Sequence, residues 1–301
     1  MGRPLLLLGI DGGGTACRAR LTDIDGNVRG EGAAGPANIR FGLKESFEAA
    51  LQATSQALEQ SGLALGDVDI VACLALAGAS EPTNLAAARA VDLPFRHALI
   101  TTDAHAACVG AHGSKDGGII VIGTGSVGWA VVGDNEYRVG GWGFPVSDEG
   151  SGAWLGSEAA RRALWAYDGR APWSELLTAI FDRFNDDPHA IVRWMGEARP
   201  RDFAALAPLV LGAASRGDPV AGELAGLAAA HIDVIADRLV SYGATRLALA
   251  GGIAASIEPW LTAATRQHLV EAEGDALSGA LKMARTEVEA RVATDSFEVQ
   301  H

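Results

Sequence analysis

The chain has 301 residues, of which 49% are hydrophobic, and its formal net charge is −13. This length is sufficient for two domains with separate cores. With only three lysines and no basic run, the sequence argues against a nucleic-acid-binding surface, which requires clustered Lys and Arg. An acidic protein can still bind a polyphosphate through backbone N–H groups and a divalent cation.

The cysteines and apolar runs indicate a cytoplasmic protein without a membrane partner. Cys17, Cys73 and Cys108 are widely spaced and form no CxxC motif, so they predict neither a disulfide framework nor a metal cluster. The leucine run at residues 5–8 is too short for a signal peptide and leads directly into Asp11. No segment approaches the roughly 20 apolar residues of a membrane span.

The first part of the chain alternates strands with helices. This alternation predicts a parallel sheet with crossover connections. We expect strands at about 5–11, 16–22, 28–33, 70–76 and 98–102, and helices at about 44–61, at about 84–91 and through Ala107. The polar, glycine-rich segment 112–118 is the best linker candidate.

The second part begins with three more strands and then becomes helical from about 151 to 242, followed by a strand at 246–250 and two closing helices. We therefore predict two α/β domains. The first covers residues 1–113 and is completed by a C-terminal helix at 285–301. The second covers residues 114–284 and carries a helical insertion at about 151–242.

Two glycine-rich turns lie about 110 residues apart, in segments 9–15 (GIDGGGT) and 118–126 (GIIVIGTGS). Each follows an apolar strand and precedes a strand, a tight turn and another strand. Glycine lets backbone N–H groups point at an anion, and the adjacent Thr or Ser hydroxyl is a further donor. Two such turns facing each other across a cleft would hold a polyphosphate.

The second turn also matches a dinucleotide fingerprint, G-x-G-x-x-G, at residues 123–128, with Asp148 at 20 residues beyond its last glycine. That fingerprint requires a helix to open at the glycines. Residues 128–133 instead carry strand-forming side chains, so we favour a phosphate-binding hairpin over a dinucleotide site.

Two aspartates follow predicted strands. Asp11 lies inside the first turn, where it is either a ligand that holds Mg²⁺ through water or an ordinary turn residue. Asp103 opens a helix at the carboxyl end of a strand, where open α/β sheets place their chemistry. It is a candidate base for a sugar hydroxyl that attacks a γ-phosphate. A helix N-cap is the competing role for Asp103, and the two roles are compatible.

Two further polar residues lie in loops. Asp148 ends a glycine-rich loop before the first long helix, where it either stabilises the helix start or accepts hydrogen bonds from a substrate. Asn38 follows the third strand and is either a substrate ligand or a turn residue.

Seven motifs, in this order, resemble the sugar-kinase, heat-shock-protein and actin superfamily, and within it the BadF/BadG/BcrA/BcrD ATPase family. That family includes N-acetylglucosamine kinase and bacterial glucosamine kinase. The resemblance covers nearly the whole chain. Its motifs are residues 9–15 (GIDGGGT), 37–38 (AN), 102–104 (TDA), 123–126 (GTGS), 140–143 (GGWG) with 147–151 (SDEGS), 250–253 (AGGI) and 274–276 (GDA).

The resemblance implies a two-lobed, actin-like (ribonuclease H-like) α/β fold built from duplicated βββαβαβα units, with ATP at the base of a cleft and an amino sugar above it. The implied activity is ATP-dependent phosphorylation of the 6-hydroxyl of N-acetylglucosamine or glucosamine, with Mg²⁺ as cofactor. Related kinases also imply a homodimer.

The resemblance further implies a role for each matching residue. Asp103 would be the catalytic base, and Asp11 would serve Mg²⁺. The nucleotide would be bound by Gly12, Gly13, Gly14, Thr15, Gly123, Thr124, Gly125, Ser126, Gly251 and Gly252, with the last two and the Gly274–Asp275 region near the adenosine. The sugar would be bound by Asn38, Asp103, Thr124, Gly141 and Asp148.

Two other functions are carried on the same fold. ATPases that activate radical enzymes ligate an iron–sulfur cluster with closely placed cysteines, a placement that this sequence lacks. A non-catalytic sugar sensor is disfavoured because all the acidic and glycine positions are present, although fold alone does not fix function. The sugar's 2-substituent stays open, since a free amine favours an acidic partner and an acetamido group favours an amide and an apolar patch.

Overall fold

The computed structural model describes residues 3–40, 42–113 and 115–298. The chain forms two compact units. The first unit comprises the chain up to Lys115 together with the residues from Ala272 onward, and the second unit comprises Asp116–Glu271.

The first unit contains a five-stranded mixed sheet in the order β3-β2-β1-β4-β5. Its first three strands form an antiparallel meander, and β4 and β5 run parallel to β1. β1 and β4 are nearly continuously apolar because helices cover both faces of the sheet. The strands are β1 (Leu5–Gly12), β2 (Cys17–Asp23), β3 (Val28–Ala34), β4 (Asp69–Leu76) and β5 (His97–Thr102).

Three helices connect or follow these strands, namely α1 (Leu43–Gln60), α2 (Pro82–Arg89) and α3 (Asp103–His112). α1 packs on one face of the sheet, and its alanines join the strand leucines in one core cluster. α3 packs on the opposite face. The predicted alternation of strands and helices is confirmed here.

The second unit repeats the antiparallel meander in a four-stranded sheet of order β8-β7-β6-β9, with β9 parallel to β6. A full repeat of the first unit would add a fifth strand. Among the described residues, its place beside β9 is taken by a single bridge between Leu247 and Leu269. The strands are β6 (Gly117–Ile122), β7 (Ser126–Val132), β8 (Asn135–Gly140) and β9 (Leu247–Ala250).

The helical insertion lies between β8 and β9 and supplies most of the core of the second unit. Prolines stand at or near the first position of four of its helices, where the missing N–H costs nothing, so they start helices rather than interrupt them. These helices are α4 (Gly152–Tyr167), α5 (Glu175–Asp182), α6 (Pro188–Glu197), α7 (Pro200–Ala204), α8 (Ala207–Ser215) and α9 (Pro219–Ser241).

α9 is, by length and composition, the one helix among the described residues that is apolar enough to cross a membrane. Its buried face, which includes Leu224, Ala228 and Ile232, packs in the core of the second unit. Core helices pass the same test of length and composition, so this feature is weak evidence for a membrane span.

After β9 come two short helices, α10 (Ala254–Ile257) and α11 (Ala263–Arg266), and then the long helix α12 (Ala276–Glu298). α12 packs against α3 in the first unit. The predicted start of this helix at residue 285 is therefore wrong, and the chain enters the first unit at Ala272 rather than at 285. Asp275 fixes the earlier start because its carboxylate accepts hydrogen bonds from the amide and hydroxyl of Ser278. Residues 299–301 of the predicted helix lie outside the described residues.

The α3–α12 contact depends on a glycine. A Cβ on Gly279 would lie 1.8 Å from the carbonyl oxygen of Ala106, so Gly279→Ala forces the helices apart, at a cost of about 1–3 kcal/mol. We expect a lower unfolding midpoint by calorimetry. The matched control is Gly226→Ala in α9, where a Cβ meets open space and the better helix propensity of Ala predicts a slight increase. Equal midpoints for the two variants would contradict the close helix packing.

Candidate functional site

The first turn, residues 12–15, closes the β1–β2 hairpin. The Gly13 amide donates to the carbonyl of Ala16 (2.9 Å), and the Gly13 carbonyl accepts from the Ala37 amide (3.0 Å). Gly14 and Thr15 are exposed, and their amides donate no hydrogen bond to any described residue. Exposed amides that lack an acceptor can bind an anion.

Arg18 lies directly across the hairpin from Asp11. Its Nη2 is 2.6 Å from Asp11 Oδ2 and 3.1 Å from Asp275 Oδ2. The hydrogen bond to Asp11, followed by the charges of both carboxylates, raises the pKa of Arg18, although burial opposes this. Burial also works against ionisation of Asp275, but the hydrogen bonds from Ser278 and the charge of Arg18 outweigh it and lower the pKa of Asp275.

Asp11 fits a Mg²⁺ ion that arrives with phosphates. No group of three or more His, Cys, Asp or Glu side chains in the described part of the chain could hold a metal by itself. Mg²⁺ usually keeps several waters and is bound through one or two carboxylates and substrate phosphates. One carboxylate beside a phosphate-type turn matches that donor set.

Asp103 lies at the same sheet edge as the first turn. Gly12 pairs with Leu76, and Leu76 pairs with Thr102, so the chain leaves β5 in register with the turn. The helix cap is Thr102, whose hydroxyl accepts the His105 amide (2.9 Å). The N-cap role considered for Asp103 is therefore wrong. Asp103 is the first helical residue, and its Oδ1 accepts the Ala104 amide (2.9 Å).

Asn38 is brought to this edge by a bridge between its backbone and Ala77. Its Oδ1 accepts the amide of Arg40 (3.0 Å), and its Nδ2 lies 3.9 Å from where a Cβ of Gly14 would stand. The half-buried Asn38 side chain is therefore a neighbour of the first turn.

The second turn, residues 123–126, has the same kind of closure in the second unit. The Gly123 amide donates to the carbonyl of Gly125 (2.9 Å), and the carbonyls of Gly123 and Thr124 accept the first amides of α4. In the part of the chain that the structure describes, the amides of Thr124 and Gly125 have no acceptor. The Ser126 hydroxyl does not contribute a donor to this turn as the sequence suggested, because it is buried and donates to the carbonyl of Glu149 (2.7 Å).

Asp148 packs against the second turn. A Cβ on Gly125 would lie 2.6 Å from Asp148 Oδ2, and the carboxylate accepts the amides of Gly143 (3.3 Å) and Phe144 (3.1 Å). Burial raises the pKa of Asp148 in spite of these hydrogen bonds. Its φ of 68° is a strained conformation for a non-glycine residue. The helix-start role considered for Asp148 is wrong, because Ser151 caps α4 and no acidic residue lies in its first turn. The substrate role stays a hypothesis, since each carboxylate oxygen has a second lone pair.

Gly141 lies in the same loop, which Arg138 holds in place. The Arg138 side chain donates to the carbonyls of Gly140 (3.1 Å) and Gly141 and stacks over the exposed ring of Trp142. Gly141 has a φ of 69°, and a Cβ there would lie 2.7 Å from Val127. The loop is therefore fixed to β7 and β8.

Gly251 and Gly252 follow β9 beside the end of β6, where the Ile253 amide donates to the Ile122 carbonyl (3.2 Å). Gly252 borders a groove of about 720 Å³ in the second unit. Its walls are largely apolar and come from α8 and the segment after β9. The lining residues are Pro208, Leu211, Gly212, Ser215, Gly252, Ile253, Ser256, Pro259 and Trp260.

The three cysteines are buried, and Cys17 pairs with Gly12 of the first turn. Burial raises the pKa of Cys73 to about 12, and burial together with the charge of Asp11 raises that of Cys17 to about 12. Thiols held protonated in this way are poor metal ligands.

The structure thus places the predicted residues in two groups. Asp11, the first turn, Asn38 and Asp103 lie along one sheet edge of the first unit, and the second turn, Gly141, Asp148 and Gly251–Gly252 surround the end of β6 in the second. Asp275, for which the resemblance implies a place near the adenosine, contacts Arg18 beside Asp11. Sequence reasoning missed Arg18 and Arg138. Only the hairpin register, which pairs positions 11 and 18, could have indicated Arg18.

Comparisons with known proteins identify the family to which this chain is similar. The sequence profile of the BadF/BadG/BcrA/BcrD ATPase family matches residues 8–283. The chain is 40% identical to glucosamine kinase GspK of Vibrio cholerae over 278 residues, which cover 92% of this chain and 95% of that protein. It is 29% identical over 229 residues to an N-acetylmuramic acid/N-acetylglucosamine kinase of Clostridium acetobutylicum, covering 72% of this chain and 74% of that one.

A crystal structure of a candidate N-acetylglucosamine kinase from Chromobacterium violaceum superimposes with a TM-score of 0.85. The two sequences are 36% identical, and the match covers 93% of this chain and 98% of the other. The actin-like α/β fold expected from the sequence is confirmed by this similarity.

The turn after β9 yields a test with adjacent glycines. Gly251 has a φ of 99°, and a Cβ there would lie 2.4 Å from the Ile122 carbonyl oxygen, whereas a Cβ on Gly252 meets open space. We expect Gly251→Ala to cost about 1–3 kcal/mol and to lower the calorimetric unfolding midpoint, while Gly252→Ala leaves it unchanged. If both variants melt like the parent protein, Gly251 does not have this conformation.

Proposed function

Because this chain belongs to the BadF/BadG/BcrA/BcrD ATPase family, we propose that it is an ATP-dependent amino-sugar kinase that phosphorylates the 6-hydroxyl of glucosamine or N-acetylglucosamine. The kinase activity is supported by the 40% identity to a glucosamine kinase along nearly the whole length of both proteins. One structural observation carries the proposal, namely the placement of Asp103 at the same sheet edge as the first turn, whose exposed Gly14 and Thr15 amides have no acceptor among the described residues.

The two turns would bind the phosphates of ATP. In the first unit, the phosphates would accept from the amides of Gly14 and Thr15, with Gly12 and Gly13 shaping the turn. In the second, they would accept from the amides of Thr124 and Gly125, with Gly123 and Ser126 at the ends of the turn. Phosphoryl transfer depends mainly on positioning and charge neutralisation, so backbone donors suffice for much of it.

Asp103 would act as the general base. Its carboxylate would accept the proton of the sugar 6-hydroxyl as that oxygen attacks the γ-phosphorus and the bond to the β-phosphate oxygen breaks. In a loose transition state the hydroxyl loses its proton late, so an ordinary carboxylate is a strong enough base.

The sugar would be oriented by polar groups in each unit. Asn38 lies beside the first turn and offers an amide. In the second unit, Asp148 would accept from a sugar hydroxyl, with Thr124 and the backbone of Gly141 as neighbours. The half-buried carboxylate of Asp148 is held by two backbone amides, which favours precise recognition.

Mg²⁺ would be held at Asp11 together with phosphate oxygens and water. When bound, it would neutralise charge on the phosphates that are being transferred and released. The donor set of the first unit supports this assignment because it offers a carboxylate beside the turn rather than a complete cage.

The adenine base would lie in the groove beside Gly252. Ligand sites are typically concave and largely apolar with a few polar groups, and this groove combines Trp260, Leu211 and two serines. Gly252 leaves the entrance open because it has no side chain.

The remaining parts of the proposal are a homodimeric enzyme in the cytoplasm that acts on a small molecule, without nucleic acid or membrane as a partner. The net charge of −13 supports the absence of a nucleic-acid partner. The buried cysteines are compatible with a reducing compartment, and the dimer is supported by the family resemblance.

The alternative of a radical-enzyme activator is not favoured. Its iron–sulfur cluster would require several convergent thiolates, and here burial raises the pKa of both Cys17 and Cys73 to about 12.

Asp103→Asn tests the chemistry. We measure ADP release from MgATP with glucosamine, N-acetylglucosamine, glucose, N-acetylmannosamine and muramic acid, and sugar binding by calorimetry. The parent protein should turn over one amino sugar strongly. Asp103→Asn should bind that sugar with similar affinity but lose turnover by at least about 100-fold, as expected on removing a general base.

Asp92→Asn is the matched control, since it removes an exposed carboxylate of the same unit and should leave turnover unchanged. Full activity of Asp103→Asn would remove the base assignment. If no sugar raises ADP release by the parent protein, the result favours the alternative of a non-catalytic sugar sensor.

Gly252→Leu tests the groove. A leucine side chain would extend from an unhindered position into the space proposed for adenine, so the KM for ATP should rise at least about tenfold, which corresponds to about 1.4 kcal/mol. The KM for the sugar should not change. An unaltered KM for ATP, in a variant that melts like the parent, would show that the adenine of ATP binds elsewhere.

A further inference from the structure

Arg18 neutralises the carboxylate proposed to serve Mg²⁺. A single nitrogen, Nη2, contacts both Asp11 (2.6 Å) and Asp275 (3.1 Å). The Asp11 side chain is 19% exposed and that of Arg18 is 50% exposed, so the pair is open to solvent on the arginine side. The guanidinium can therefore leave without disturbing the core.

The position of Arg18 is fixed by two independent elements. Its backbone faces Asp11 across the β1–β2 hairpin. Asp275 is held at the start of α12 by its bonds to Ser278. Without Arg18, the two carboxylates would stand close together with no compensating charge at this point.

We propose that Arg18 is the counter-ion of Asp11 and prevents a divalent cation from binding there until nucleotide phosphates arrive. The Arg18 guanidinium then leaves Asp11 and donates hydrogen bonds to those phosphates. Arg18 is thus a positioning residue that couples metal binding to nucleotide binding. The inference rests on the proposed role of Asp11 in holding Mg²⁺.

The charges favour this coupling. A guanidinium remains charged at all physiological pH values, so it competes with the cation for Asp11 throughout that range. A cation arriving alone would have to displace Arg18 and leave two positive groups near one another. A cation arriving with phosphates avoids this cost, because the phosphates accept the released guanidinium in charge-assisted hydrogen bonds.

The test is Mn²⁺ binding by electron paramagnetic resonance in the absence of nucleotide. The parent protein should bind Mn²⁺ weakly. Arg18→Gln should bind it at least tenfold more tightly, because Asp11 and Asp275 are then uncompensated. Asp11→Asn/Arg18→Gln should lose this gain, which would locate the metal at Asp11.

Arg20→Gln is the matched control. Arg20 lies on the same strand and pairs with Glu31 (2.5 Å), so its removal changes the net charge equally but leaves Asp11 neutralised. We expect Mn²⁺ binding like that of the parent protein. A gain as large as that of Arg18→Gln would show a general charge effect and overturn the proposal.

Nucleotide binding gives a second readout. Arg18→Gln should bind ADP with Mg²⁺ at least fivefold more weakly than the parent, with unchanged affinity for adenosine. Unchanged Mn²⁺ affinity in folded Arg18→Gln would overturn the inference. Arg18→Met repeats the test if the glutamine variant does not fold. Since none of these measurements needs turnover, a failed sugar-kinase assay and a failed Arg18 test are distinguishable.

Discussion

The tight turn that closes the first hairpin of each sheet is the constraint on which both groups of site residues depend. In the first unit the Gly13–Ala16 hydrogen bond closes the hairpin within a few residues, and the intervening amides have no partner among the residues that the structure describes. The same closure sets the register that makes Asp11 and Arg18 direct neighbours. In the second unit the equivalent closure at Gly123 leaves room at Gly125 for the carboxylate of Asp148. The backbone that we propose to bind phosphate and its acidic neighbours therefore have one geometric origin.

A second constraint acts through the parallel strands. The carboxyl ends of β1, β4 and β5 lie in register, so residues distant in sequence meet at one edge. Capping of α3 by Thr102 rather than by Asp103 matters for the chemistry. It places the carboxylate of Asp103 in the first helical turn, where the partial positive charge of the helix N-terminus favours an anion. An anionic carboxylate is the form that the proposed general base needs in order to accept a proton.

The strands, the helical insertion and the two turns could be predicted from the sequence because each depends on local patterns, namely apolar runs and glycines. The first residue of α12 could not be predicted from the sequence. Its cap, Asp275, belongs to a motif that the resemblance associated with adenosine, and this interpretation concealed the local role of a capping residue. Ser126 shows a similar limit, since a hydroxyl beside glycines suggests a phosphate donor, whereas its acceptor, the Glu149 carbonyl, follows only from folding. The Arg18–Asp275 pair joins opposite ends of the chain, and sequence spacing carries no information about it.

The strongly acidic composition explains why the proposed charge balance at the phosphates depends on one arginine, Arg18. A chain with 37 acidic and 24 basic side chains and few lysines has little cationic charge to place beside a triphosphate. In the proposed function, backbone amides in two turns would supply part of the compensation without any formal charge. An arginine already paired with Asp11 can supply another part only if its partner is neutralised at the same moment, and a divalent cation does that. The acidic composition and the paired arginine thus favour the same proposal, that metal and nucleotide bind together.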